Sequence, residues 1–336
     1  MDNLGGTSGL QFVASGRIMI SGTVISGSKN IFNVRTEQEA GGSSSLQCRI
    51  KGKILKGAEG FYNPLAPGDR VHVEPDNLHP GTGMITALEE RKNLFCRYNQ
   101  KAAGKDAGTQ PLAANVDLII CMTTRVSPPF RPRFIDRILL QTEIAEIPAL
   151  ILCNKIDLDD SDSNLDADER LEDFKNIGYP VMEISAKTGE GLDELKQYID
   201  GKYSVLLGQS GVGKSSLINA LLPELNIRTG AINEKYDRGN HTTTQSFMVE
   251  IKPDTWIIDT PGIRLFVPDG IEAQDVILYM KEFSPLAGKC SYGLSCSHRI
   301  EPGCKIMEAV AAGVIHEDRY NSFLRIYDEL KNNAGQ

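Results

Sequence analysis

The feature that most constrains this chain is the stretch Tyr203–Ser216, which reads YSVLLGQSGVGKSS. Its second half matches the pattern G-x-x-x-x-G-K-[ST] in full, between an apolar strand-like run and the helical run SSLINALL. Glycines at these positions let successive backbone N–H groups converge on phosphate oxygens at the positive end of a helix. A strand, such a loop and a helix in this order predict an α/β domain that binds a nucleotide.

The chemistry of a triphosphate suggests a role for each polar residue of the loop. Lys214 is expected to reach the β- and γ-phosphates, and the Ser215 hydroxyl is expected to ligate Mg²⁺. Further on, the apolar run WIID ends in Asp259-Thr-Pro-Gly262, where Asp259 would hold the Mg²⁺ through water and the Gly262 N–H would sense the γ-phosphate. The predicted phosphate-binding set is Gly208, Gln209, Ser210, Gly211, Val212, Gly213, Lys214, Ser215 and Ser216.

The segment GNHTTTQ lies between these two motifs. We expect Thr243 to complete the Mg²⁺ shell, although three adjacent threonines are also compatible with an exposed β segment. His241 is a candidate for positioning the attacking water, and a single loop histidine more often has no such role.

A second motif, Asn154-Lys155-Ile156-Asp157, follows the buried strand-like run ALILC and predicts recognition of guanine. A carboxylate accepts hydrogen bonds from guanine N1–H and the N2 amino group, and adenine has no such donor pair, so Asp157 favours GTP over ATP. Asn154 would tie the loop together and the stem of Lys155 would lie along the base. Downstream, the Ala186 N–H would donate to guanine O6. The predicted base-binding set is Asn154, Lys155, Asp157, Ser185, Ala186 and Lys187.

Three cysteines and one histidine crowd into fifteen residues near the C-terminus, as Cys290-x5-Cys296-x-His298-x5-Cys304. Three thiolates and one imidazole suit a closed tetrahedral zinc site, which is structural because no position stays open for water. The flanking runs IEAQDVILYMKEF and HEDRYNSFLRIYDELKN predict amphipathic helices around it.

Short alternating segments separated by Gly, Asn and Pro clusters fill residues 12–90 and predict a small closed barrel. The strand pattern alone does not separate an OB-fold from an SH3-like scaffold. After them, apolar strands alternate with helices and indicate a doubly wound α/β domain. The predicted organisation is a disordered start at 1–10, an OB-fold barrel at 11–92, a linker at 93–112, a P-loop GTPase domain at 113–270 and a zinc-binding helical domain at 271–336.

Charge is distributed unevenly along the 336 residues. The net charge is −8, yet residues 1–105 carry 13 basic and 9 acidic residues, a balance of +4. A mildly basic barrel remains compatible with RNA, while the acidity lies in the middle of the chain. No secretory signal and no apolar run of membrane-spanning length are visible, so we expect a cytoplasmic protein.

The order of the motifs is unusual, since NKID and SAK precede the phosphate loop, the threonine segment and DTPG. In this order, and with the barrel and the Cys/His cluster on either side, the chain resembles the circularly permuted GTPases, and among them the bacterial family of small ribosomal subunit-dependent GTPases. The resemblance spans nearly the whole sequence. The family has four residues between its first two zinc-binding cysteines, whereas this chain has five, SYGLS, which we expect to bulge outward at Gly293.

The resemblance implies a GTP hydrolase that takes part in late maturation of the small ribosomal subunit and is stimulated by that subunit. It implies GTP and GDP, Mg²⁺ and one Zn²⁺ as ligands, and the small subunit and its rRNA as partners, with no role for DNA or a membrane. We expect a monomer. The alternative is a nucleotide-gated RNA-binding or chaperone module whose hydrolysis is incidental; a translation-type GTPase would lack the permuted order.

The permutation also has a consequence for coupling. Ile263 stands after DTPG, where many GTPases carry a water-orienting Gln, so intrinsic hydrolysis is expected to be slow. From Ile263 the chain leads directly into the C-terminal domain, and we expect movement of this switch to be transmitted there. A long flexible insert near Pro268 is expected to uncouple subunit binding from the nucleotide state.

Overall fold

A computed structural model of the chain describes residues 11–12, 18–28, 30–37, 43–52, 55–58, 61, 63–99, 108–158, 165–223, 246–260 and 266–333. The chain divides into two compact units. The first comprises Met1–Asp117, Gly201–Val205 and Gly239–Pro261, and the second comprises Leu118–Asp200, Leu206–Arg238 and Gly262–Gln336. No helix among the described residues is both long and apolar enough to cross a bilayer.

A closed five-stranded barrel forms the N-terminal part of the first unit. The strands are β1 Gln11–Phe12, β2 Ile18–Ser28, β3 Ile31–Glu37, β4 Ser43–Ile50, β5 Arg70–Pro75 and β6 Thr82–Leu88. The barrel order is β2-β3-β4-β6-β5, in which β5 pairs back onto β2, and β1 pairs with β2 as well. The third and fifth strands of the barrel, β4 and β6, pair in parallel, which is a Greek-key closure and not a simple meander. The predicted OB-like barrel is therefore confirmed.

The barrel closes because inward-facing apolar residues alternate with polar ones along its strands. On β5, Val71 and Val73 are fully buried while Arg70 is exposed, and Val24 and Val34 are buried on β2 and β3. The three serines of the GGSSS run are the first residues of β4.

The stretch expected as a linker begins and ends in strands. β7 Leu94–Asn99 pairs antiparallel with β8 Gly108–Ala114. The small and polar residues of this stretch suggested a loop, yet Phe95 and Ala113 pair across the ladder and are both buried. The domain limits given above stay predictions.

A second hairpin completes the first unit. β13 Phe247–Lys252, which was not predicted, pairs antiparallel with β14 Thr255–Asp259. β13 also pairs with barrel strand β2 through Phe247 and Ser26. The hairpin is thereby joined to the barrel by backbone hydrogen bonding.

The second unit contains three parallel strands in the order β11-β10-β9. β9 and β10 are buried at every residue, as expected for parallel strands covered on both faces. The elements are β9 Leu118–Thr123, α1 Pro132–Ile144, β10 Ala149–Asn154, α2 Leu165–Ile177, β11 Val181–Ile184, α3 Leu192–Tyr198 and α4 Lys214–Leu221. β12, Tyr203–Gly208, begins in the first unit and ends in the second.

The C-terminal part of the second unit is helical around the Cys/His cluster. The run IEAQDVILYMKEF, for which an amphipathic helix was predicted, contains a 3₁₀ helix, Ala273–Tyr279, whose Val276 and Ile277 are buried. Further 3₁₀ turns lie at Ser284–Leu286 and Gly293–Ser295. They are followed by α5 Lys305–Ala311 and α6 Glu317–Asn333.

Buried charges fasten α6 to α1. The Asp136 carboxylate on α1 has no exposed surface, and it accepts hydrogen bonds from Arg319 (2.9 Å) and from Ser322, both on α6. Arg170 on α2 lies 3.4 Å from the same carboxylate. Arg319 also pairs with Glu282. Each buried charge thus has an opposite charge beside it, as burial requires.

The first described residues after the DTPG motif are also held by α1. Phe266 and Val267 are buried, and Arg137 donates to the Phe266 carbonyl at 3.4 Å. The Asp269 N–H donates to Gln141 Oε1 at 2.7 Å. The chain is therefore fixed on α1 before it enters the zinc-cluster region.

Candidate functional site

The phosphate loop has the predicted strand–loop–helix setting, between β12 and α4. Gly213, immediately before α4, has φ +99°, and a Cβ added there would stand 2.4 Å from Asn154 Nδ2, so only glycine fits. The Lys214 ammonium donates to the carbonyls of Gly208 (2.8 Å) and Gln209 (3.2 Å) and is buried. Lys214 thus lies folded over its own loop. Ser215 and Ser216 are half-buried in the first turn of α4.

Asn154 joins the base-reading motif to the phosphate loop. At the end of β10, its Nδ2 donates to the Val212 carbonyl at 2.8 Å. Its Oδ1 accepts from the Ala186 N–H at 2.9 Å. One buried amide therefore fixes the positions of two loops that are far apart in sequence.

Asp157 is oriented by the loop that carries SAK. Ser185 Oγ donates to Asp157 Oδ1 at 2.6 Å, and the Lys187 ammonium lies 3.6 Å from Oδ2. The hydrogen bond from Ser185 is the main cause of a pKa of Asp157 below its ordinary value of 3.8, and attraction to Lys187 adds to it in the same direction. The carboxylate is therefore an acceptor throughout the neutral range, as reading of guanine N1–H and N2–H₂ requires.

A loop that the sequence analysis did not assign supports Lys155. Lys155 has φ +67°, and its ammonium donates to the Ser127 carbonyl at 2.8 Å. Ser127 lies in the loop after β9, where Thr124 Oγ1 donates to the Pro128 carbonyl at 2.6 Å. The only sequence signal there was the proline pair in VSPPF, which indicates a turn and not a partner for Lys155.

Asp259 occupies the end of β14, opposite Phe247 of β13, and is buried. Asp259 belongs to the first unit, whereas the phosphate loop from Gly208 onward belongs to the second. His241, Thr243 and Gly262 lie outside the described residues, so their roles stay predictions.

The structure brings the four predicted zinc ligands together, with all four side chains buried. One potential ligand atom from each of Cys290, Cys296, His298 and Cys304 lies within 4.8 Å of the others. The Sγ atoms of Cys290 and Cys304 are 3.8 Å apart, and His298 Nδ1 is 3.4 Å from Cys304 Sγ and 3.6 Å from Cys290 Sγ. Tetrahedral zinc with Zn–S of about 2.3 Å places its sulfur ligands about 3.8 Å apart. The cluster is therefore compatible with zinc.

Hydrogen bonds shape the loops around the cluster. The Lys305 N–H donates to Cys290 Sγ at 3.3 Å. The N–H groups of Ser297 and Arg299 donate to the Glu301 carboxylate at 2.8 and 3.1 Å, and the bonds from Ser297 are the main cause of a pKa of Glu301 well below its usual range. In the five-residue spacer, Gly293 has φ +55° and Leu294 is 82% exposed, so the spacer turns outward while Cys290 keeps its place among the ligands.

Known proteins are similar to this chain over most of its length. The family model described as "RsgA GTPase" matches residues 88–267. The small ribosomal subunit biogenesis GTPase RsgA 2 of Bacteroides thetaiotaomicron is 36% identical over 311 residues, which are 92% of this chain and 97% of that protein. The small ribosomal subunit biogenesis GTPase RsgA of Porphyromonas gingivalis is 38% identical over 290 residues, 85% of this chain and 90% of that protein.

Two solved structures share the fold. The crystal structure of YjeQ from Thermotoga maritima matches with a TM-score of 0.68 and 33% identity, covering 93% of this chain and 98% of that one. YloQ, described as a circularly permuted GTPase, matches with a TM-score of 0.65 and 26% identity, covering 94% and 96%. With its permuted motifs, its closed barrel and its Cys₃His cluster, this chain belongs to the RsgA GTPase family, and it is a GTP hydrolase.

Proposed function

We propose that this chain hydrolyses GTP to GDP and phosphate as a factor in late maturation of the small ribosomal subunit, and that the subunit stimulates the reaction. The observation that carries the nucleotide half is the bridge by Asn154 between the phosphate loop and the base-reading loops. The subunit half is supported by the names of the relatives that match most of this chain.

For the chemical step, this chain supplies positioning and charge. Lys214 and the backbone N–H groups of the phosphate loop stabilise negative charge as it builds up on the transferred phosphoryl group. Lys214 must first exchange its bonds to the Gly208 and Gln209 carbonyls for phosphate oxygens. Asp157, Ala186 and the stem of Lys155 fix the base, so that the γ-phosphate is presented in one register.

We assign Mg²⁺ to Ser215, Asp259 and Thr243, of which Asp259 acts through water. A hydroxyl, a carboxylate and a second hydroxyl are the hard oxygen donors that Mg²⁺ prefers. Held by these residues, Mg²⁺ would supply positive charge that offsets the negative charge of the triphosphate. Gly262 senses the γ-phosphate and His241 positions water. With Ile263 in the place of a water-orienting Gln, the unstimulated rate is slow.

One Zn²⁺ on Cys290, Cys296, His298 and Cys304 has a structural role in this proposal. The four donors leave no open coordination position, so the metal would fix the loops and take no part in hydrolysis. Metal analysis of the purified protein tests this. We expect one zinc per chain in wild type and none in the Cys296→Ser variant. The control is Cys96→Ser, a buried thiol outside the cluster, which should keep its zinc. Folded wild-type protein without zinc would refute the assignment.

In this proposal the OB-like barrel and the zinc-binding region bind ribosomal RNA of the small subunit. The chain acts as a monomer. OB-like barrels bind oligonucleotides, and residues 1–105 carry a balance of +4. A factor that works on ribosomal subunits works in the cytoplasm, and no part of the proposal needs DNA or a membrane.

The deciding experiment is GTP turnover with and without purified small subunits. We expect slow turnover by the chain alone and stimulation of at least about tenfold by the subunit. Turnover that the subunit leaves unchanged would favour a nucleotide-gated RNA-binding module with incidental hydrolysis.

An Asp157→Asn variant tests the base assignment in the same assay. An amide can accept from N1–H and donate to a carbonyl at C2, so the variant should lose GTP and accept the xanthine nucleotide. Unchanged preference for GTP would contradict the role of Asp157.

A further inference from the structure

We propose that Arg35, on barrel strand β3, is a positioning residue for GTP hydrolysis because it fixes the β13–β14 hairpin that carries Asp259. The inference rests on the Mg²⁺ role proposed above for Asp259. It assigns to the barrel a part in the reaction itself, beyond the binding of RNA.

The backbone supplies the first link between the barrel and Asp259. Ser26 of β2 pairs with Phe247 of β13, and Phe247 is the direct antiparallel partner of Asp259 on β14. Three paired residues thus run in one line from the barrel wall to the proposed Mg²⁺ carboxylate. The hairpin accordingly belongs to the same compact unit as the barrel.

Side chains supply the second link, and Arg35 is at its centre. The Arg35 guanidinium lies over the Trp256 ring, 4.7 Å from its centroid, and forms an ion pair with Glu250. Glu250 and Trp256 are paired opposite each other on β13 and β14. One barrel side chain therefore holds both strands of the hairpin at the same level.

The same contact leads on to β12. The rings of Trp256 and Tyr203 meet edge to face with centroids 6.2 Å apart. The backbone N–H of Trp256 donates to the Lys202 carbonyl at 2.9 Å. Tyr203 begins β12, and β12 runs into the phosphate loop. Trp256 thus contacts the barrel, the hairpin and the start of the strand that ends at Gly208.

The contacts of Arg35 should affect the position of the β13–β14 hairpin more than the stability of the fold. Its ion pair with Glu250 is partly exposed, with 27% and 32% of the two side chains accessible, and such pairs add little to stability. Trp256, in contrast, is 8% exposed and has little freedom to shift once Arg35 covers its ring. Loss of Arg35 should therefore leave a folded protein in which the end of β14 is less well fixed.

The experiment compares Arg35→Met with wild type in the absence of subunits. Methionine keeps the apolar stem and loses the guanidinium. We expect kcat to fall on the order of tenfold with KM for GTP unchanged, since a misplacement of 1 Å can cost about 100-fold in rate. The Mg²⁺ concentration for half-maximal rate should rise several-fold. Arg49→Met, which removes an exposed arginine from β4, is the matched control and should behave like wild type.

Trp256 provides a second readout because it is the only tryptophan in the chain. In wild type, its emission should change when Mg²⁺ and a non-hydrolysable GTP analogue are added together. In Arg35→Met, that change should be lost or require more Mg²⁺. A purely structural role would lower the melting temperature and leave both the Mg²⁺ dependence and this response as in wild type.

If Arg35→Met does not fold, the same assays can be made with Glu250→Gln. This substitution removes the ion pair between Arg35 and Glu250 with almost no change in side-chain volume. It should show a smaller loss in the same direction. Wild-type kcat, Mg²⁺ dependence and Trp256 response in a folded Arg35 or Glu250 variant would overturn the inference. Failure of the proposed function is distinguishable, because it would appear as absent Mg²⁺-dependent turnover in wild type.

Discussion

At the scale of single residues, Asn154 makes two loops depend on one side chain. Its amide satisfies the Val212 carbonyl in the phosphate loop and the Ala186 N–H in the base loop, and it is almost completely buried. A buried backbone group that loses its partner costs about 1–3 kcal/mol. We therefore expect nucleotide affinity to depend on Asn154 through its two hydrogen bonds, apart from any contact of Asn154 with the nucleotide.

Two substitutions separate the two bonds of Asn154. Asn154→Ala removes both, and we expect GDP affinity to fall by tenfold or more, since about 1.4 kcal/mol corresponds to a factor of ten. Asn154→Asp keeps the acceptor for Ala186 and sets a carboxylate against the Val212 carbonyl, so it should weaken binding as much or more. Calorimetric titration with GDP measures both. Wild-type affinity in Asn154→Asp would show that the Val212 bond is unimportant.

Acid pH should reveal the bond between Ser185 and Asp157. Because the folded pKa of Asp157 lies below 3.8, the resulting stability is fully present above that value and is lost as pH falls through the folded pKa. In Ser185→Ala the pKa should move up toward 3.8, which an NMR titration of the carboxylate would detect. Ser45→Ala, exposed on β4, is the control. An unshifted Asp157 in Ser185→Ala would contradict the proposed cause.

At the scale of elements, helix α1 is the common support of the second unit. It holds α6 through Asp136, and it holds the segment after the DTPG motif through Arg137 and Gln141. Burial alone would lower the pKa of Arg319, but Glu282 and Asp136 together raise it, so Arg319 stays charged. A charged Arg319 makes its carboxylate partners indispensable.

Asp136→Asn should therefore be strongly destabilising. Removing one partner of a buried ion pair costs about 3–5 kcal/mol because the other charge remains buried. Denaturant unfolding measures the loss. Asp193→Asn, whose side chain is 92% exposed, should change the unfolding free energy by no more than about 0.5 kcal/mol. Equal effects of the two substitutions would show that the buried network does not hold α6.

The elements that could be predicted from the sequence are those that local patterns define. The phosphate loop, NKID and the Cys/His cluster are local patterns whose chemistry fixes their residue types, and all three were predicted. The hairpin strand β13 was not, because its place depends on pairing with β2, whose Ser26 is far away in sequence. The hydrogen bonds of Asp136 could not be predicted either, because its partner Arg319 is 183 residues away in sequence.

At the scale of the whole molecule, the chain between the DTPG motif and the zinc-cluster region is attached to helix α1. We call this attachment the α1 anchor. Phe266 and Asp269 are hydrogen-bonded to α1 before the first 3₁₀ helix begins. Movement of the switch would therefore act on the C-terminal region by way of this anchor, which is a more specific route than the continuous chain that the sequence suggested.

A flexible Gly/Ser insert after Pro268 tests that route. In wild type, we expect binding to small subunits to differ between GDP and a GTP analogue, and the insert should remove the difference because it breaks the anchor. The same insert after Gly313, in an exposed turn between α5 and α6, should preserve it. Sedimentation with purified subunits measures the binding. If subunit binding by the Pro268 variant still differs between GDP and the GTP analogue as in wild type, the proposed route from the switch to the C-terminal region is wrong.

The pairing of β2 with β13 has a thermodynamic consequence for any ligand of the barrel. Coupling between two sites is reciprocal: if a bound nucleotide changes the affinity of the barrel for its ligand, that ligand changes the affinity for the nucleotide by the same factor. A ligand coupled in this way would alter the affinity for GDP or GTP while it contacts the barrel. The barrel would thereby regulate nucleotide occupancy.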